Sequence, residues 1–130
     1  MPSVLFQTES HYPVNRKKIK KAVRDYLEKK LKGKWEVSIS IIGDRRMRQL
    51  NREYRHKDTT TDVLSFCFNE TVSNKTQFVE PPDKILRLGD ILVSYPQVIL
   101  QASEQNKLVD DMVVFLVIHG LDHLMGIHHD

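Results

Sequence analysis

Val109-Asp110-Asp111-Met112-Val113-Val114-Phe115-Leu116-Val117-Ile118-His119-Gly120-Leu121-Asp122-His123-Leu124-Met125 is apolar nearly all round. Its Val and Ile content suits helix or strand alike, but seventeen residues are too many for an ordinary strand, so length predicts a helix. A helix with apolar side chains on every side is buried rather than laid on a surface. The stretch therefore predicts a central helix, and the rest of the chain has to be arranged around it.

Working back toward the N-terminus, Leu88–Ser94 reads as a strand, and Pro96 suits the first turn of a short helix ending near Asn106. Val63–Phe68 reads as another strand. The polar run Asn69–Asp83, with Pro81-Pro82, is a loop, and strands joined this way predict an antiparallel pair. Ser3–Gln7 is a short strand candidate. Asn15 can cap a helix to about Lys32, with Ile19, Ala22, Val23, Tyr26, Leu27 and Leu31 at helical spacing and Gly33 as its stop. Trp35, Val37, Ile39 and Ile41 alternate with Glu36, Ser38 and Ser40, which is strand periodicity. Asp44 can cap a second helix with the apolar stripe Met47, Leu50 and Tyr54. The order β-α-β-α-β-β-α-α predicts an α+β fold: a single small mixed sheet of about four strands, packed against helices, with the buried helix at its centre.

At 130 residues the chain predicts one domain, 1–130, large enough to bury a core without disulfides. With 40% hydrophobic and 28% charged residues it is globular rather than disordered. Cys67 is the lone cysteine, which favours a reducing compartment and hence the cytoplasm. The start Met-Pro-Ser-Val-Leu-Phe-Gln-Thr-Glu has neither the basic end nor the apolar run of a signal peptide. The longest apolar run, Met112–Ile118, is far too short to span a bilayer, so no membrane association is expected. The net charge of +3 is uneven: Arg16–Lys34 carries ten Lys or Arg against two acids, and Arg45, Arg46, Arg48, Arg52, Arg55 and Lys57 form a second basic group. Such faces suit a polyanion or are simply solvated, and charge alone does not decide between the two.

Four of the six histidines, His119, His123, His128 and His129, fall in the last twelve residues. His119 and His123 are four apart, so on a helix both imidazoles leave one face a turn apart and can reach one cation. Gly126 can end the helix in a left-handed conformation and turn the chain back, bringing His129 to the same ion. The pattern predicts one zinc ion on three nitrogens with a fourth position left for water. Spacing selects His129 over His128, which would point toward solvent or substrate. A crowded, partly exposed C-terminus is the alternative reading of the cluster.

The segment matches the metzincin zinc-protease pattern His-Glu-x-x-His-x-x-Gly-x-x-His except that Gly120 stands in place of the catalytic glutamate. That glutamate is the general base of peptide hydrolysis, so its absence argues against a protease. With glycine there, His119–His129 resembles the terminal motif His-Gly-x-Leu-His-Leu-x-Gly-Tyr-Asp-His of the YbeY family. Leu50–Asp58, Thr61–Phe66 and Leu88–Ile91 also resemble that family's central and later signatures. Asp122 replaces the usual leucine, Thr60 stands where proline is common, and Ile127-His128 replaces Tyr-Asp.

The resemblance implies a metal-dependent, single-strand-specific endoribonuclease of ribosomal RNA processing, maturing the 3′ end of small-subunit rRNA and serving ribosome quality control. It implies RNA, the ribosomal small subunit, and a ribosomal protein or assembly GTPase as partners. Carried over, His119, His123 and His129 are the metal ligands, with His119 and Arg55 catalytic and Arg55 and Lys57 contacting substrate. From the residues alone Arg55 reads as the solvated end of the second helix. A three-histidine metal lowers the pKa of its water and polarises a phosphoryl oxygen, and an arginine fork can meet the phosphate. Hydroxide on the metal, His128 and the RNA 2′-hydroxyl remain open as the general base. An assembly factor with a structural zinc is the competing reading, and a metalloprotease the third.

Overall fold

The computed structural model describes residues 3–67 and 85–129, with side chains described as far as Gly126. The expected loop Asn69–Asp83 and the last expected strand residue, Phe68, lie outside the described residues. The elements run β1 (Ser3–Thr8), α1 (Arg16–Lys30), β2 (Trp35–Ile42), α2 (Asp44–Arg55), β3 (Val63–Cys67), β4 (Leu86–Ser94), α3 (Tyr95–Gln105) and α4 (Val109–His129). The order is the one the sequence predicts.

The four strands form one mixed sheet in the order β1-β2-β4-β3. β1 and β4 both run parallel to β2, and β3 is antiparallel to β4, the pairing expected from their shared connection. Period-two alternation sends Val37, Ile39 and Ile41 of β2 and Ile91 and Val93 of β4 to one face, where they meet α1, α3 and α4 in the main core. Ile42, Leu64 and Phe66 share a second, smaller cluster with Met47 of α2, and Leu92 packs against it. The sheet is thus covered on one face by α1, α3 and α4, while α2 lies over part of the other.

Local signals explain the helix ends. The Asn15 side chain accepts from the Lys18 backbone N–H at 3.0 Å, capping α1 as expected. Pro96 sits in the first turn of α3, where its missing N–H removes no helical hydrogen bond. Asp44 does not cap α2: Gly43 holds the cap position and Asp44 is the first helical residue. Its carboxylate instead accepts from Ser94 Oγ at 2.7 Å, Thr60 Oγ1 at 2.9 Å and Gln97 Nε2 at 3.4 Å. Asp44 therefore ties α2 to β4, to α3 and to the segment before β3.

The last helix departs from expectation in two ways. It is not buried on every side: Asp111, Phe115, His119, Asp122, His123 and Gly126 are exposed, a stripe at helical spacing. It also does not end at Gly126 but continues to His129. Glycine permits the left-handed conformation without requiring it, and only Gly33 and Gly89 adopt it among the described glycines.

Candidate active site

The exposed stripe of α4 forms one wall of a cavity of about 410 Å³. His119 and His123 line it from α4, Arg55 from the end of α2, Ser65 from β3, Asp62 from the segment before β3, and Gln101 from α3. Residues far apart in sequence meet there because α4 lies against β3 and β4.

Arg55 reaches the cavity because α2 stops abruptly behind it. His56 adopts the left-handed conformation, and the His56 and Lys57 N–H groups close on the Arg52 and Asn51 carbonyls at 3.2 and 3.3 Å. Buried Asn51 donates through Nδ2 to the Thr59 carbonyl at 2.9 Å, fixing the chain that leads to β3. Asp58 takes Arg48 in a two-pronged pair at 2.8 and 3.0 Å and draws Arg52 to 3.6 Å. The Arg48 guanidinium first, and Arg52 after it, hold the Asp58 carboxyl below its ordinary range. Among the described residues Arg55 has no such partner. Arg48 and Arg52 share the single charge of Asp58, while Arg55, without a partner among the described residues, lines the cavity.

Lys57 does not line this cavity. The turn at His56 carries it past the helix end, where it is exposed.

Asp62, on the same cavity, is held by two hydrogen bonds. Its Oδ2 accepts from Gln101 Nε2 at 2.9 Å and its Oδ1 from the Val63 N–H at 2.7 Å. Ser65 is buried and faces Gly120, whose carbonyl accepts from Ser65 Oγ at 3.4 Å. Gly120 thus packs against the sheet at the floor of the same cavity, which it also lines. In the later signature, Gly89 at φ +140° lies where a Cβ would run into the Phe66 carbonyl oxygen, so that position requires glycine. Neighbouring Asp90 is half-buried, which pushes its carboxyl up against the opposing effect of a Ser38 hydrogen bond. Asp122, the departure from the usual leucine, accepts a hydrogen bond from the Tyr26 hydroxyl on α1. That bond first, with burial second, pushes the Tyr26 hydroxyl up to about 12.

The donor chemistry fits a metal in part. His119 and His123 supply two imidazoles from adjacent turns of one exposed stripe. Among the described residues no three His, Cys, Asp or Glu side chains gather closely enough to hold an ion, so Asp62 does not complete the pair. The expected third ligand, His129, has its side chain outside the described residues. On a regular helix it would lie about 9 Å along the axis from His123 and roughly 240° around it.

Sequence reading missed Asp62, Ser65, Gln101 and Phe115 as cavity residues. Asp62 and Ser65 lie within a signature stretch, and Ser65 is a polar side chain at an inward strand position. Phe115 stands four residues before His119, at the spacing that made the histidines a pair. Gln101 gave no signal.

Comparison with known proteins matches residues 5–130 to the family described as Endoribonuclease YbeY. Endoribonuclease YbeY of Halalkalibacterium halodurans is 39% identical over 123 residues, 94% of this chain and 76% of that protein. The protein of the same name from Dehalococcoides mccartyi is 42% identical over 98 residues, covering 72% of this chain and 57% of its own length. That of Moorella thermoacetica is 39% identical over 99 residues, covering 75% and 62%. The chain thus spans less than two-thirds of the latter two relatives. The solution structure of TM1509 from Thermotoga maritima shares the fold, with a TM-score of 0.59 at 23% identity over 93% of this chain and 71% of that one.

Proposed function

This chain belongs to the YbeY endoribonuclease family, and from that premise we propose that it hydrolyses phosphodiester bonds of single-stranded RNA with a zinc ion held by His119, His123 and His129. The substrate we propose is ribosomal RNA, at the 3′ end of the small-subunit species, with roles in its maturation and in ribosome quality control in the cytoplasm. No described helix is long and apolar enough to cross a membrane.

The observation that carries this reading is one cavity walled by His119, His123 and an Arg55 that has no partner among the described residues. When bound, zinc supplies Lewis-acid polarisation of a phosphoryl oxygen and an activated water near neutral pH. The Arg55 guanidinium receives phosphate oxygens through its planar fork and stabilises the charge that grows on them. The Asp62 carboxylate on the same cavity is engaged by Gln101 and the Val63 N–H. A peptidase mechanism finds no carboxylate at position 120, where glycine faces Ser65. For His129 to join the pair, α4 has to bend at Gly126. Glycine permits the left-handed conformation such a turn needs.

The test is cleavage of an end-labelled single-stranded fragment of small-subunit rRNA by chelator-stripped protein and by the same protein with zinc restored. Cleavage lost on stripping and regained with zinc is the expected outcome. RNA left intact by zinc-loaded protein would move the account to an assembly factor with a structural zinc.

A further inference from the structure

We propose that Phe115 is the base-stacking platform of the RNA site, with Lys107 as the cation for a neighbouring phosphate. The proposal rests on the ribonuclease reading above and identifies the side chain that grips the nucleotide next to the reacting phosphate. Phe115 is 52% exposed on a helix whose other large apolar side chains, such as Leu116, Leu121 and Leu124, are buried. What sets it apart from the other exposed apolar side chains, such as Leu100 and Leu108, is its place on the cavity. It lines the cavity that holds His119, His123 and Arg55. Standing four residues before His119, it continues the histidine stripe by one turn, about 6 Å along the axis.

Lys107 Nζ stands over the Phe115 ring, 4.4 Å from its centroid. Asn106 ends α3 in the left-handed conformation, and the Lys107 N–H is bonded to the Ala102 carbonyl at 2.9 Å, which fixes the stem from which this side chain reaches. The ring face thus carries an exposed, flexible ammonium, which can swing to a phosphate and yield the face to a group that stacks on it. An aromatic face beside a cation is the combination that holds single-stranded nucleic acid without regard to base identity. Arg55 supplies a cationic contact on the cavity that Phe115 lines, and Lys107 adds a second cation at the ring beside it, so the charge complements a polyanion.

The probe is a fluorescently labelled oligoadenylate, with affinity read by anisotropy for the wild type, Phe115→Ala, Phe115→Leu, Phe115→Trp and Lys107→Ala. Melting curves verify that each variant is folded. Phe115→Ala and Phe115→Leu are expected to weaken binding roughly tenfold, and Phe115→Trp to retain it. A single abasic position in the oligonucleotide is expected to erase the difference between wild type and Phe115→Ala. Lys107→Ala is expected to reduce the slope of log affinity against log salt by about 0.7. Phe115→Leu binding as tightly as wild type overturns the platform, since leucine keeps the bulk without the ring. So does a wild-type dimer that Phe115→Ala dissociates with RNA affinity unchanged. If Phe115-dependent binding occurs and metal-dependent cleavage does not, the platform stands and the nuclease reading falls.

Discussion

Gly120 is pressed against Ser65: a Cβ added to the glycine would stand 2.8 Å from Ser65 Oγ and 3.2 Å from Ile91 Cγ2. The helix that carries His119 and His123 is therefore seated on β3 and β4 through a residue with no side chain. The glycine that rules out a protease-type base is also what lets the histidine helix approach the sheet.

Gly120→Ala should destabilise the fold even though alanine is the better helix former by about 1 kcal/mol. Overpacking at such a contact costs about 1–3 kcal/mol, so the net loss should be up to about 2 kcal/mol. Adding Ser65→Ala should restore part of it. Urea denaturation of the two single variants and the double variant measures the coupling, and strictly additive effects would mean the two residues do not compete for space. Gly120→Glu should fare worse than alanine, as its whole side chain must leave the interface.

Arg55→Ala should leave the melting temperature nearly unchanged, because the side chain is exposed and has no partner among the described residues. It should reduce RNA cleavage by about 10²–10³-fold, the usual effect of removing one group that stabilises transition-state charge. Arg48→Ala, which releases Asp58, serves as the comparison and should cleave far better. Preserved cleavage per folded Arg55→Ala molecule would show the residue to be structural.

Much of this was legible in the sequence, for local reasons. Asn15 caps α1, the alternation from Trp35 marks β2, and Pro96 opens α3, each acting within a few residues. What failed depended on distant neighbours. Asp44 looks like a cap, but Thr60, Ser94 and Gln97 compete for its carboxylate. The apolar run in α4 hides its exposed stripe, because Phe115 and Leu116 belong to one class until the sheet and α1 choose which is covered. Gly120 reads as an absent glutamate, whereas the contact that requires it is made 55 residues away in the chain.

Tyr26 should titrate abnormally. Its hydroxyl is pushed up to about 12 by the Asp122 hydrogen bond, so the folded state holds this proton more tightly than the unfolded chain. The sign follows: the stabilisation is complete below the ordinary tyrosine pKa of about 10 and is lost as pH rises toward 12. Burial also raises Tyr95, so ultraviolet difference titration should show late-titrating tyrosines, of which the Tyr26 component moves down in Asp122→Asn. A titration curve unaffected by that substitution would assign the shift elsewhere.

Gly126→Ala separates the straight helix from the bent one. Alanine favours continued helix by about 1 kcal/mol, so the metal-free protein should become slightly more stable. If His129 must turn back toward His123, zinc affinity should fall about fivefold. Calorimetric titration measures both, and unchanged affinity would mean that the third ligand is reached without bending α4.

The most direct measurement is zinc bound per chain, by elemental analysis after zinc loading and desalting, for the wild type and for His119→Ala, His123→Ala and His129→Ala. The account predicts about one equivalent in the wild type and marked loss in each variant, as a three-nitrogen site requires. Less than about a tenth of an equivalent in the wild type, or full occupancy after loss of His119 or His123, would contradict it.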